Sequence, residues 1–309
     1  MLASLLLAAS AAALGSSAPA GPDSMLVSTA WLAERLGGPD LVLFEIGPRE
    51  EYDRGHIPGA QHLELRAVSA PHEMKEGHGH DDGALVLELP SAERLDSVLE
   101  ARGVSDRSRV VLYPGGDWLT PAARVYLTLA WAGLGGRVSV LDGGLAAWRA
   151  ERRPVSTEAP VVRPTTNALT LTPRADVVVD AGFVRSHLRD PKVALVDARD
   201  RGFWLDSLDN HMPRGGHIPG AASIPFTSLT DSAGRLLPLE TLRRTFREAG
   251  AAPGDLVVTY CHIGQQGSWV WLVARHLGYD ARLYDGSFQD WSARAELPVS
   301  GARRSAGGS

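Results

Sequence analysis

Short apolar runs alternate with amphipathic ones along most of this chain. In the second half, Val193–Val196, Leu256–Tyr260 and Ala281–Tyr284 are brief, apolar and rich in β-branched residues. That is the pattern of strands covered on both faces. Between them the period lengthens. Asp180 stands as an N-cap before an amphipathic run to Leu188. Pro238–Ala249 reads as a helix closed by Gly250, and Gly267–Leu277 as a helix stopped by Gly278. Strand and helix in turn predict an α/β chain, its mostly parallel sheets flanked by helices.

The first half repeats the second. The hexapeptide GHIPGA occurs at Gly55–Ala60 and again at Gly216–Ala221, 161 residues later. Val27–Trp31 answers Val179–Phe183, Leu43–Ile46 answers Leu195–Ala198, and Arg109–Tyr113 answers Leu256–Tyr260. Near the end of each copy, Asp142-Gly143-Gly144 with Trp148 answers Asp285-Gly286-Ser287 with Trp291. The offset between copies changes along the chain, which places insertions in one half or the other. This is a duplicated domain rather than a short-period solenoid. The expected plan is a leader at 1–24, a domain at 25–155, a Pro/Thr/Ala-rich linker at 156–168, a second domain at 169–300 and a small polar tail at 301–309. GHIPGA, with His56 and His217, and the two tryptophans occur in both copies. They are read as a structural turn and as core.

Composition narrows the chemistry. The chain has 309 residues and a net charge of -5, which argues against nonspecific nucleic-acid binding. Its one cysteine, Cys261, excludes an internal disulfide and any multi-cysteine zinc or iron–sulfur site. The apolar stretch Met1–Leu14 is shorter than the roughly 20 residues that span a bilayer. It resembles a signal-peptide core followed by a small-residue cleavage site at Ala18-Pro19-Ala20. The expectation is a periplasmic or secreted protein without membrane insertion of the mature chain, with the cytoplasm as the alternative. His72, His78, His80, Asp81 and Asp82 have metal-ligand chemistry, but they fall where the first half is longer and read as a solvated loop.

Cys261 follows a predicted strand and precedes a predicted helix, through His262-Ile263-Gly264-Gln265-Gln266-Gly267. Ligands in α/β sheets bind at the carboxyl ends of strands. A helix N-terminus there collects unpaired N–H groups and positive potential, which stabilise a thiolate. Gly264 and Gly267 allow the backbone to wrap the sulfur. The alternative reading is a small buried hydrophobe at a strand end.

GHIPGA after Asp-Ala-Arg, the strand–Cys–loop–helix unit and the late Asp-Gly-Gly/Trp signature together resemble the rhodanese superfamily over about residues 25–300. The resemblance is to its tandem-domain thiosulfate/3-mercaptopyruvate sulfurtransferases. It implies two rhodanese-like domains, the first an inactive copy. The repeat agrees, because Pro114 lies opposite Cys261 and Gly47 opposite Arg199. The resemblance further implies a Cys261 persulfide and Arg199 binding the anionic part of a small sulfur donor. Residues His262, Ile263, Gly264, Gln265, Gln266 and Gly267 would line the substrate site, a thiol or cyanide would accept the sulfur, and no cofactor or metal is called for. The His262-Ile263-Gly264 segment matches neither the cationic loop of thiosulfate enzymes nor the small neutral loop of mercaptopyruvate enzymes. A partly protonated His262 puts thiosulfate ahead of 3-mercaptopyruvate. A persulfide carrier or redox sensor serving a protein partner is the further alternative. A Cys-x5-Arg phosphatase is excluded, since the sixth residue after Cys261 is Gly267. Trp118 and Leu119 are expected to face the cleft, while Trp204 either lines its mouth or packs.

Overall fold

The computed structural model describes residues 24–71, 84–116, 119–209 and 211–301. The signal-like leader, the His72–Asp82 cluster, Trp118 and nearly all of the tail lie outside the described residues. The first half contains β1 (Leu26–Val27), α1 (Thr29–Ala33), β2 (Leu41–Ile46), α2 (Arg49–Arg54), β3 (Gln61–Leu63), α3 (Ala92–Glu100), β4 (Arg109–Pro114), α4 (Thr120–Trp131), β5 (Val138–Leu141) and α5 (Gly144–Ala150). The second contains β6 (Val178–Val179), α6 (Ala181–His187), β7 (Val193–Asp197), α7 (Arg201–Trp204), β8 (Ala222–Ser223), α8 (Leu239–Glu248), β9 (Leu256–Tyr260), α9 (Gln265–His276), β10 (Asp280–Tyr284) and α10 (Ser287–Ala293).

Each half is a five-stranded sheet, ordered β1-β5-β4-β2-β3 and β6-β10-β9-β7-β8. All the strand pairs are parallel. The apolar runs became strands because both sheet faces are covered by helices, so every position along them is worth burying. The Asp180 side chain caps α6 by accepting the Phe183 amide at 2.8 Å. The α9 helix starts at Gln265 rather than at the predicted Gly267. Gly264, with φ of +81°, adopts the left-handed conformation that turns the chain into the helix.

Helices α4 and α9 pack on one another, and one continuous core runs across both halves, from Val110, Leu112 and Leu127 to Val257, Trp271 and Leu272. Residues 152–177 form no helix or strand; most of their bonds run to the first half, and Val177 joins β10 by accepting the Leu283 amide. Ala168 donates its amide to Glu100 at 2.6 Å and Thr172 to the Ala132 carbonyl at 2.9 Å.

GHIPGA is architectural in both copies. The Ile57 amide donates to Tyr113 Oη at 3.0 Å and the Ile218 amide to Tyr260 Oη at 3.1 Å, tying each turn to the central strand beside it. Trp148 and Trp291 are buried, each donating its indole N–H at 2.7 Å, to the Pro154 and Pro298 carbonyls. Trp204 packs rather than opening the cleft: it stacks on His217 at 4.2 Å and donates to the Ala221 carbonyl.

Candidate active site

In the second sheet the chain leaves β7 toward one edge, at β8, and leaves β9 toward the other, at β10. The carboxyl ends of β7 and β9 therefore flank a topological switch point, where an open α/β sheet forms its crevice. Arg199 follows β7 and Cys261 follows β9. The topology brings together two residues 62 positions apart in sequence.

Cys261 is 1% exposed. The backbone amides of Gly267, Ile263 and Gln266 hydrogen-bond its sulfur. These three supply the donors expected of the whole His262–Gly267 loop, and the other members have different roles. Gly264 is the left-handed N-cap of α9. Gln265 extends its side-chain amide to Thr120 Oγ1 of the first half at 3.0 Å. The carbonyls of Cys261 and His262 accept the Phe288 and Gln289 amides, both at 2.9 Å. The turn is tight at Gly267, where a Cβ would lie 2.8 Å from Leu283 Cδ1 and 3.1 Å from the Tyr260 carbonyl carbon, so any larger residue would push on both.

The helix N-terminus was expected to lower the thiol pKa. Instead, burial pushes the Cys261 thiol up, the three amides oppose the rise, and the Asp197 charge adds to it. Desolvation of the sulfur outweighs the oriented dipoles.

Arg199 and Asp197 are both fully buried. Arg199 Nε donates to Asp197 Oδ1 at 2.9 Å, while Nη2 donates to Oδ2 at 2.6 Å and to the Gly216 carbonyl at 2.7 Å. The guanidinium lies over the Phe288 ring at 4.2 Å. Burial works against its charge, but Asp197 outweighs burial and holds the Arg199 pKa above its ordinary value. Nη1 remains buried without a hydrogen-bond partner. Such an orphan calls for an explanation.

The structure corrects the expected charge of His262. Burial, followed by the neighbouring Arg199, pushes its pKa down to about 4, so the imidazole is neutral near pH 7. Its ring meets the edge of Phe203 at 4.7 Å. Ile263 adds no charge. The loop next to the sulfur is therefore uncharged.

The first half shows the same scaffold without the chemistry. Pro114 ends β4 where Cys261 follows β9, and Glu45 stands where Asp197 stands, with Gly47 in place of Arg199; Arg149 of α5 instead reaches the Gly55 carbonyl at 2.7 Å. Glu45 is buried, burial pushes its pKa up, and it accepts the Tyr113 hydroxyl at 2.8 Å. Gly144 and Ser287 occupy the same turn with φ of +54° and +51°. A Cβ at 144 would strike Pro114 at 2.7 Å. At 287 the turn carries a serine whose Oγ accepts the Cys261 amide at 3.2 Å. Sequence reasoning missed Ser287, although its signal was present as a serine opposite a glycine in the repeat. It also missed Asp197 as the partner of Arg199, despite the Asp-x-Arg spacing. Leu119 is half-buried against the shared core.

Comparison with known proteins agrees with this geometry. The chain matches the rhodanese-like domain family twice, over residues 28–151 and 180–294. It is 33% identical over 288 residues to a probable 3-mercaptopyruvate sulfurtransferase of Pseudomonas aeruginosa, covering 89% of this chain and 98% of the relative. It is 31% identical over 294 residues to the sulfur carrier protein TtuD of Thermus thermophilus, covering 89% and 96%. A putative thiosulfate sulfurtransferase 1 of Mycobacterium bovis is 28% identical over 284 residues, covering 89% and 97%. Among solved structures, YnjE superposes with a TM-score of 0.78 at 21% identity over 91% of this chain and 69% of that one, a likeness of fold.

Proposed function

We propose, for a chain that belongs to the rhodanese-like family in both halves and is a sulfurtransferase of that family, that it carries sulfur as a Cys261 persulfide and takes it from a monoanionic mercapto-keto acid of the 3-mercaptopyruvate type. The observation that carries the choice of donor is the charge of the site. Asp197 and Arg199 cancel, His262 is neutral and Ile263 is apolar. What remains for an anion is one free guanidinium nitrogen, Arg199 Nη1. Desolvating a dianion such as thiosulfate costs about four times as much as desolvating a monoanion of similar size, because the Born term grows with the square of the charge. The preference for thiosulfate rested on a charged His262 and falls with that charge. Relatives named for 3-mercaptopyruvate and for thiosulfate both match, so the choice rests on the charge of the site.

In the first step the Cys261 thiolate attacks the donor sulfur. The S–S bond forms, the donor C–S bond breaks, and its electron pair leaves on carbon as the pyruvate enolate. The proton from the donor thiol ends on that carbon, giving pyruvate. Arg199 Nη1 holds the carboxylate. The amides of Ile263, Gln266 and Gly267 stabilise negative charge on the sulfur as it develops. In the second step a thiolate or cyanide attacks the terminal sulfur, the S–S bond breaks, and Cys261 leaves as thiolate.

The test is intact mass after brief incubation with each donor at equal concentration. The expected result is gain of one sulfur atom, faster with 3-mercaptopyruvate than with thiosulfate, discharged by cyanide and absent in Cys261→Ser. Faster loading by thiosulfate overturns the choice of donor and leaves sulfur transfer standing. No loading of reduced Cys261 by either donor moves the function to a carrier charged by a protein partner.

A further inference from the structure

The half that lacks the thiol reaches into the loop that carries it. Arg124 on α4 is fully buried. Its Nη1 pairs with Asp285 Oδ1 at 2.5 Å and its Nη2 donates to the Leu87 carbonyl. Asp285 follows β10 in the other half, and its Oδ2 accepts the Leu89 amide at 3.2 Å. Gln289, whose amide supports the His262 carbonyl, accepts the Val86 amide at 3.2 Å and donates to the Ala84 carbonyl at 3.0 Å. Gly264 backs directly onto this junction. A Cβ there would lie 2.9 Å from Arg124 Nη1, 3.0 Å from the Asp285 carbonyl and 3.4 Å from Asp285 Oδ1. The next residue, Gln265, is held by Thr120 from the same helix α4.

The contact has no symmetric counterpart. With the first residues of α4 and α9 aligned, Arg124 falls opposite Trp269, a core residue. The duplication alone does not account for Arg124.

We infer that Arg124 is a positioning residue for sulfur transfer: it neutralises Asp285 behind Gly264 and so holds the Ile263, Gln266 and Gly267 amides on the Cys261 sulfur. The charged and titratable groups around the sulfur divide between two sides. Asp197, Arg199 and the neutral His262 stand at the β7 crevice, and Asp285, Glu88, Asp290 and Arg124 stand behind the loop. On the second side Arg124 pairs with Asp285, whereas Asp290 has its own cation in Arg294 at 2.7 Å and accepts the Tyr284 hydroxyl, so among the described residues the compensation of Asp285 falls to Arg124. Burial, followed by the Asp285 charge, raises the Glu88 pKa to about 8, as an acid-rich junction requires. Without Arg124, the Asp285 carboxylate would face the loop uncompensated.

The inference rests on Cys261 as the sulfur carrier, but its first readout does not require turnover. The rate of Cys261 alkylation by iodoacetamide is followed against pH in wild type, Arg124→Met, Arg124→Lys and Arg124→Met/Asp285→Asn, with melting temperature measured alongside. Arg124→Met is expected to raise the alkylation midpoint by about one pH unit. It should slow sulfur loading about tenfold in kcat, with donor KM within twofold. Arg124→Lys, and the double variant that removes the stranded charge, are expected to recover the midpoint. An unchanged midpoint in folded Arg124→Met overturns the inference. So does a change that tracks melting temperature and is not recovered in the double variant. If wild-type Cys261 alkylates but takes up no sulfur, the proposed function fails while the positioning inference is still judged on the midpoint.

Discussion

Replacing Arg199 by methionine separates the charge of this site from its shape. The substitution keeps an unbranched apolar stem over Phe288 and strands Asp197, which is fully buried and loses its bonds of 2.6 and 2.9 Å to the guanidinium. Breaking a buried ion pair from one side costs about 3–5 kcal/mol. The carboxyl can escape part of that cost by taking a proton. At pH 8 that proton costs more than 5 kcal/mol against an unfolded pKa of about 3.9, so the full penalty stands. At pH 5 it costs only about 1.5 kcal/mol, and the charge-related penalty is capped there. The sign follows. In the variant the folded state binds a proton that the unfolded state has released, so stability relative to wild type falls as pH rises above about 4. Urea unfolding at pH 5 and pH 8 of wild type, Arg199→Met and Arg199→Met/Asp197→Asn measures it. The expected loss is about 3 kcal/mol or more at pH 8 and about half that at pH 5, with much of the pH 8 loss recovered by Asp197→Asn. A loss equal at both pH values, or one that Asp197→Asn leaves untouched, would show that Arg199 acts through packing alone and would refute the charge argument for donor choice.

Other substitutions probe the same logic. Gly264→Ala puts a Cβ on a left-handed residue 2.9 Å from Arg124 Nη1, and is expected to cost about 1–2 kcal/mol and at least tenfold in kcat/KM, read from melting and steady-state rates. Because the His262 pKa is about 4, His262→Ala should leave the shape of the activity–pH profile between pH 6 and 9 unchanged, whereas a His262-dependent limb near pH 6.5 would contradict that neutrality. Ser287→Gly relieves a φ of +51° but leaves the Cys261 amide without its acceptor, so the melting temperature should hold while kcat drops severalfold. Glu88 carries a proton in the folded state up to about pH 8 that the unfolded chain releases near pH 4.5. Wild-type stability should therefore decline between those values, and Glu88→Gln should flatten that decline in urea titrations.

The sheets were legible because their signal is local. The runs at Leu256–Tyr260 and Val193–Val196 are apolar on both faces, which only a doubly covered strand tolerates, and β9 runs from Leu256 to Tyr260. The repeat then separated chemistry from architecture. Residues found in both copies, such as His56 and His217, proved to hold turns: His56 is stacked on Tyr52 at 3.8 Å, and His217 on Trp204. The charges of the site were not legible in the same way. The type of residue 262 suggested a cation, but its proton affinity is set by burial and by Arg199, which folding brings from 63 positions upstream. The thiol is a parallel case. The amides were foreseeable from a strand–loop–helix pattern, whereas the desolvation that outweighs them depends on how deeply the crevice closes.

That same burial gives the raised thiol pKa a consistent role. A sulfur held by three amides but deprived of water is a poor place for a resting charge, and becomes a better one only when the surroundings add positive potential or remove negative potential. Asp197 adds negative potential at the front of the site, and Arg199 cancels it. Behind the loop, Asp285 is paired with Arg124 from the other half. The two ion pairs balance the charge on either side of the sulfur, one from the half that carries the thiol and one bridging to the half that lost it. A first half that supplied core alone would need apolar residues on α4. It also carries a fully buried arginine there, at a position where the second half has tryptophan, and a Cβ at Gly264 of the cysteine loop would lie 2.9 Å from its Nη1. With Pro114 and Gly144 where the second half has Cys261 and Ser287, the first half lacks the thiol, yet it still bonds to the loop region through Arg124, Thr120 and residues 84–89.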